Sequence, residues 1–181
     1  MKRNLIFIGM PAVGKSTVGI VVAKRLGMRF VDTDLLIQER EGKLLREIIA
    51  EKGEEGFLEI ENEVNASVNA KNSVISPGGS VIYCKEAMKH YKKIGTIVYL
   101  KASYQTIKRR IKNPKKRGVV LKEGQSLRDL YYERVPYFEK YADITVCEDG
   151  CRIEDTIKNV LNAVKKYRKT TEFRKKLDNV P

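Results

Sequence analysis

The chain has 181 residues, with 36 Lys+Arg against 23 Asp+Glu, one His and a formal net charge of +13. A length of this order makes a single domain with its own core, a hydrophobic fraction of 42% excludes a disordered or collagenous chain, and no apolar run reaches the ~18 residues of a bilayer span. Met1-Lys2-Arg3 and the apolar stretch behind it lack a small-residue cleavage site, so a cytoplasmic protein is expected. Cys84, Cys147 and Cys151, odd in number and without metal-ligand spacing, read as reduced thiols.

Leu5-Ile6-Phe7-Ile8 is a short continuous apolar run, as in a strand buried on both faces of a parallel sheet. Behind Gly9 to Gly14, Val18, Val21, Val22 and Leu26 recur at helical spacing, and Gly27 is placed to end that helix. Phe30-Val31, Val74-Ile75, Ile97 to Leu100 and Ile144 to Val146 read as further strands. Helices are predicted at about Leu35 to Ala50, Glu54 to Asn69, Lys85 to Lys92, Tyr104 to Lys112 and Leu127 to Tyr141, with a last one from near Ile153 that frays into a basic tail. Strands alternating with helices give an α/β fold with a parallel sheet covered on both faces. Asn113 to Gly124, with Pro114, two glycines and dense positive charge, reads as a long surface loop of the kind that forms lids.

The charge is local. Seven basic residues and no acidic one lie between Lys108 and Arg117, and Asn162 to Pro181 adds seven basic against Glu172 and Asp178, so these two segments carry nearly all of the excess. Nucleic acid, an acidic surface or a small anion would each suit such charge. No aromatic platform or reading module accompanies it, which leaves nucleic-acid binding as a competing reading rather than the main one.

Gly9-Met10-Pro11-Ala12-Val13-Gly14-Lys15-Ser16 matches G-x-x-x-x-G-K-[ST] between a predicted strand and a predicted helix. Its glycines let backbone N–H groups turn inward around an anion, and the helix N-terminus adds partial positive charge. Lys15 is expected at the outer phosphates, Ser16 at Mg²⁺, and Ala12, Val13, Gly14 and Thr17 along the nucleotide. The chain has no Asn-Lys-x-Asp to read guanine, and Ile97 to Leu100 runs into Lys101 rather than an Asp, which argues against a GTPase or a motor. The second strand instead ends in Val31-Asp32-Thr33-Asp34, where two carboxylates should face the phosphate loop. One carboxylate near Mg²⁺ and a second near an acceptor hydroxyl is what a small-molecule kinase needs; a plain helix N-cap is the competing reading of Asp34.

The phosphate loop, Asp32-Thr33-Asp34, Phe57 and Glu61 on one helix, Gly78-Gly79 after the third strand, Arg117 in the basic loop and Arg134 in Tyr132-Glu133-Arg134-Val135-Pro136-Tyr137 together resemble shikimate kinase over about Asn4 to Ile157. The resemblance implies a three-layer sandwich with a five-stranded parallel sheet, the phosphate-loop fold of the nucleoside monophosphate kinase type. It implies one kinase domain over about residues 1–170, a lid near 112–124 and a basic tail at 171–181. It further implies ATP and Mg²⁺, phosphorylation of the 3-hydroxyl of shikimate, and a monomer. Carried over by position, Lys15, Asp34 and Arg117 would be catalytic, Ser16 and Asp32 would serve Mg²⁺, and Asp34, Gly79 and Arg134 would hold the acceptor. Arg117 would also lie along the nucleotide, and Arg109 or Arg110 would stack on its base.

The chain departs from the family at Leu58, where an Arg is usual, at Ser80 in place of a third glycine, and at Gly118-Val119-Val120 after the lid arginine. Loss of a second cation for the acceptor carboxylate removes a charge-assisted bond of roughly 1.5–3 kcal/mol. The alternative acceptor is therefore another small hydroxylated compound, less anionic than shikimate. The run Glu54, Glu55, Glu59, Glu61 and Glu63 reads as a solvated face from which Glu61 could orient a cation. His90 is expected at the surface, and Tyr131, Tyr132, Tyr137 and Tyr141 are expected to pack.

Overall fold

A computed structural model describes residues 4–111, 119, 121–122 and 124–178. Five parallel strands form one sheet: β1 (Asn4–Ile8), β2 (Arg29–Asp32), β3 (Ser73–Ser76), β4 (Gly95–Lys101) and β5 (Ile144–Cys147), in the order β2-β3-β1-β4-β5. The helices are α1 (Lys15–Leu26), α2 (Thr33–Glu41), α3 (Leu45–Ser67), α4 (Lys85–Ile94), α5 (Tyr104–Arg110), α6 (Leu127–Tyr141) and α7 (Ile153–Asp178). This is the expected α/β sandwich.

Burial follows position in the sheet. The central strand β1 is buried throughout, paired with β3 on one side and β4 on the other, which is why it is a continuous apolar run. The edge strand β5 alternates buried and exposed residues, and the opposite edge β2 is only half-buried. Gly27 ends α1 in the left-handed conformation, its N–H donating to the carbonyls of Ala23 and Lys24. Asn4 ties the sheet's lower edge together: its amide donates to the Ala70 and Ile94 carbonyls and its oxygen accepts from the Ser73 N–H.

The second predicted helix is divided differently from expectation. The chain leaves α2 at Gly42 (φ 65°) and re-enters at Leu45, so residues 45–50 belong with the next helix. Inside α3, Gly53 (φ 71°, ψ −175°) breaks the helical path, close to the boundary that the sequence places before Glu54. Ile37, Ile48, Phe57 and Val64 of α2 and α3 form a small apolar cluster apart from the main core around the sheet. The basic tail does not fray at Lys165, because α7 continues to Asp178. No helix among the described residues is long and apolar enough to cross a membrane.

One tight contact tests the sheet. A Cβ at Gly95 would stand 2.9 Å from the Asn4 carbonyl oxygen, a backbone atom that cannot yield without breaking β1–β4 pairing. Gly95→Ala is expected to cost about 1–3 kcal/mol, read as a lower urea midpoint at unchanged slope.

Candidate active site

Three strand ends converge on one cleft. Beyond β1 the loop Gly9 to Gly14 turns into α1, with Gly9 at φ 149°, Gly14 at φ 107° and Ala12 at φ 62°, a left-handed conformation unusual for a residue with a side chain. A Cβ on Gly9 would lie 2.6 Å from the Leu100 carbonyl oxygen, so only glycine lets this loop close over β4. Beyond β2 come Asp32 and Asp34, and beyond β3 come Pro77, Gly78, Gly79 and Ser80. The cleft is lined by Pro11, Ala12, Gly14, Lys15, Ser16 and Thr17 on the loop side and by Asp34, Leu45, Phe57, Glu61, Gly78, Gly79 and Arg134 on the other. Ligands of open parallel sheets collect at this carboxyl edge.

Lys15 is buried, its ammonium donating to the Gly9 carbonyl at 3.0 Å and the Met10 carbonyl at 3.3 Å. Burial pulls its pKa down to about 8, with Arg134 adding to the fall and Asp34 opposing it. Asp32, not Asp34, is the N-cap of α2: Oδ1 accepts from the Asp34 N–H at 3.1 Å. Its other oxygen takes a 2.8 Å bond from the Ser16 hydroxyl, which also lies 3.3 Å from Ser76 Oγ. With the cap already filled, Asp34 in the first turn is free to line the cleft. Burial and the neighbouring Asp32 push its pKa up to about 6, against Lys15.

The acidic run on α3 is not uniformly solvated. Glu61 is fully buried on the cleft floor, and Oε1 has no hydrogen-bond partner. Burial raises its pKa to about 7 against a hydrogen bond from Ser80, with Asp34 adding to the rise. Gly78 makes this crowding feasible, since a Cβ there would collide with the Glu61 carboxylate and stand 3.1 Å from Asp34 Oδ1. Gly79 has the same function toward Arg134, whose Nη1 would be 3.1 Å from its Cβ. Arg134 is 2% exposed on α6 and delivers a guanidinium to the cleft.

Other expectations divide. Arg117 and most of the predicted lid lie outside the described residues. Leu58 does not line the cleft; it is half-buried against the main core, one helical turn before Glu61. Of the two arginines at the end of α5, Arg110 is the one beside the phosphate loop: Nη1 donates to the Val13 carbonyl at 2.9 Å and to Glu148 Oε2 at 2.8 Å. Glu148, which the sequence reading passed over, is 3% exposed at the end of β5 and, with Arg110, Val13, Gly14, Thr17 and Cys151, bounds a second cavity on the loop's far side. An acidic residue just past a predicted strand, opposite a basic helix end, was the available signal. His90 is half-buried, Nε2 2.8 Å from the Val68 carbonyl, and Tyr131 packs with its hydroxyl on the Ala102 carbonyl at 2.9 Å.

Among the described residues no group of three or more His, Cys, Asp and Glu could hold a metal. Mg²⁺ does not require one, because it keeps several waters and phosphate oxygens and takes one or two protein ligands. The hard-oxygen pair of Ser16 and Asp32, 2.8 Å apart at the start of α1, fits that demand.

The raised pKa of Glu61 sets a pH dependence. A carboxyl whose folded-state pKa lies above its unfolded value stabilises the fold relative to its ionised form below about 4.5, and this contribution is lost as pH rises through about 7. Glu61→Gln, which carries no charge, is therefore expected to gain on the native chain between those limits, by an amount on the order of 3 kcal/mol at pH 8. Urea titrations of both proteins at pH 4.5 and pH 8 check this; a difference that does not grow with pH contradicts it.

A family model described as shikimate kinase matches residues 11–165. The chain is 32% identical over 164 residues to the shikimate kinase of Persephonella marina, covering 90% of this chain and 99% of that one. It is 36% identical over 169 residues to threonine synthase-like 1 of Homo sapiens, a match that takes in 92% of this chain but 23% of that protein. The structure of shikimate kinase from Acinetobacter baumannii in complex with shikimate aligns with a TM-score of 0.76 at 26% identity, over 91% of this chain and 93% of that one. With the phosphate loop, the paired aspartates and the buried arginine placed around one cleft, and a family match across most of its length, the chain belongs to the shikimate kinase family.

Proposed function

We propose that the chain transfers the γ-phosphate of ATP to a hydroxyl of shikimate, with the roles divided among its own residues as follows. The observation that carries this reading is the meeting of Lys15, Asp34, Glu61 and Arg134 in a single cleft at the mouth of the phosphate loop. The loop N–H groups and the α1 N-terminus receive the phosphates, and the nucleoside end runs toward the cavity bounded by Arg110 and Glu148. Lys15 leaves the Gly9 and Met10 carbonyls for the phosphate oxygens, its charge supporting what builds up in transfer. Ser16 directly, and Asp32 through water, would hold Mg²⁺, which when bound neutralises phosphate charge.

Asp34 orients the acceptor hydroxyl and takes its proton; a carboxylate with a pKa near 6 is ionised at neutral pH yet basic enough for the task. Arg134 pairs with the acceptor carboxylate, for which a guanidinium fork is well shaped, and the Gly79 N–H bonds the acceptor beside it. By the family resemblance, Arg117 would supply in cis the arginine that stabilises charge in the transfer. Lys15, Asp34, Glu61 and Arg134 of one chain meet in the cleft, which supports catalysis by a single chain.

Leu58 supports a second acceptor. Position 58 shares a helix face with Glu61, so an Arg there would place a cation beside that carboxylate; with Leu, the cleft holds two carboxylates, half-buried Asp34 and buried Glu61, against Lys15 and Arg134. A less anionic hydroxylated compound suits this balance better than it would suit the usual family site.

Coupled ADP-release assays test both. With shikimate, kcat/KM should fall on the acid side with an apparent pKa near 6, and Asp34→Asn should lower kcat by about 10²–10⁴-fold. Leu58→Arg should lower the shikimate KM roughly tenfold, within the range of one charge-assisted bond. If the native chain does not phosphorylate shikimate, Leu58→Arg gains nothing, and a neutral polyol is turned over, the second acceptor class replaces the first.

A further inference from the structure

Arg134 is held in an unusual way for a buried guanidinium: it is 2% exposed, and its Nε has no hydrogen-bond partner among the described residues. Among the described residues no carboxylate forms an ion pair with it. What it does have is the ring of Tyr83, with the guanidinium carbon 5.4 Å from the ring centroid. Tyr83 closes the short 3₁₀ turn Val81–Tyr83 that follows Gly78, Gly79 and Ser80, and it does not itself line the cleft. Its ring is fixed at both ends. The hydroxyl donates to Glu133 Oε1 at 2.7 Å, and the ring meets Tyr137 edge-on at a centroid distance of 5.6 Å. Glu133 is anchored in turn, with Oε2 accepting from Gln125 Nε2 at 2.6 Å and Lys122 Nζ 3.6 Å from Oε1.

We propose that Tyr83, locked by Glu133, is the positioning residue that aims Arg134 at the acceptor's carboxylate. The inference rests on the reading of Arg134 given above. Held by an aromatic ring rather than by an internal carboxylate, the guanidinium keeps its charge for an incoming anion. The Glu133 clamp keeps the ring from rotating and carrying the guanidinium with it. Tyr83 thus acts on acceptor binding alone, through the charge of the acceptor.

The test is steady-state kinetics with ATP and two acceptors, shikimate and its carboxamide, in which the anion is absent. Tyr83→Leu is expected to raise the shikimate KM roughly tenfold, the scale of about 1.4 kcal/mol of misplaced cation, with the ATP KM and the carboxamide kcat/KM within about twofold of native. Tyr83→Phe and Glu133→Gln, which keep the packing and release the clamp, should show a smaller loss confined to shikimate. Added to Arg134→Ala, Tyr83→Leu should cost nothing further, since both act on one interaction. Equal losses on both acceptors, additivity with Arg134→Ala, or an unchanged shikimate KM in Tyr83→Leu overturns the inference. Should Tyr83→Leu fail to fold, Tyr83→Phe and Glu133→Gln decide it by the same criterion. An Arg134→Ala protein with native shikimate KM, or a native chain without shikimate turnover, overturns the reading of Arg134 itself; a damaged Arg134→Ala with a silent Tyr83→Leu overturns only the role of Tyr83.

Discussion

Placement of β1 at the centre of a parallel sheet is the constraint on which the site depends. With β3 bonded to one side and β4 to the other, the end of β1 has no lateral freedom, and the loop it feeds must turn over β4 through a glycine that approaches the Leu100 carbonyl. Because the strands are parallel, the ends of β2 and β3 open on the same edge. Phosphate loop, paired aspartates and double glycine are therefore neighbours in space although they lie far apart in sequence. The crossover helices that make this parallel arrangement possible also supply Phe57, Glu61 and Arg134.

The second organising fact is desolvation. Lys15, Asp34, Glu61 and Arg134 share a cleft in which burial leaves water less able to compensate charge, and this shifts the ammonium and both carboxyls. The ammonium is held below its usual range and the two carboxyls above theirs, which narrows the gap between proton donors and acceptors across the site. Such a cleft is poor for folding and good for moving a proton from a hydroxyl while a phosphoryl group arrives. Glycine at positions 78 and 79 is the steric condition for the arrangement, because any side chain there would occupy the space that the carboxylates and guanidinium use.

Much of this was legible in the residues themselves. A phosphate loop between strand and helix has a local signature, and the spacing to Asp32-Thr33-Asp34 locates the second strand's end. The division of labour between the two aspartates was not legible, because either could cap α2; the structure gives the cap to Asp32 and so frees Asp34. Glu61 was singled out but its depth was not, since helical periodicity says which residues share a face but not how deep a kinked helix sits. Glu148 and Arg110 are joined across residues far apart in sequence, and Tyr83 gains its meaning only from α6 packing beside it. Contacts of this type depend on tertiary placement. The break at Gly42 was obscured by a helical pattern that continues through it, whereas the irregularity at Gly53 falls in the gap that the sequence leaves between Ala50 and Glu54.

The small apolar cluster of Ile37, Ile48, Phe57 and Val64 stands apart from the core around the sheet. In the proposed division of roles, the nucleotide side rests on β1, α1 and β5, whereas Asp34, Phe57 and Glu61 of the acceptor wall rest on α2 and α3 around that cluster, with Arg134 reaching the same wall from α6. On that division, part of the acceptor wall rests on a packing unit separate from the one under the phosphate loop. Substitutions that alter the acceptor wall disturb a few side chains of a minor unit and leave phosphate chemistry on its own foundation. A fold divided in this way is evolvable in one direction: its lineage can exchange what receives the phosphate while keeping how the phosphate is given.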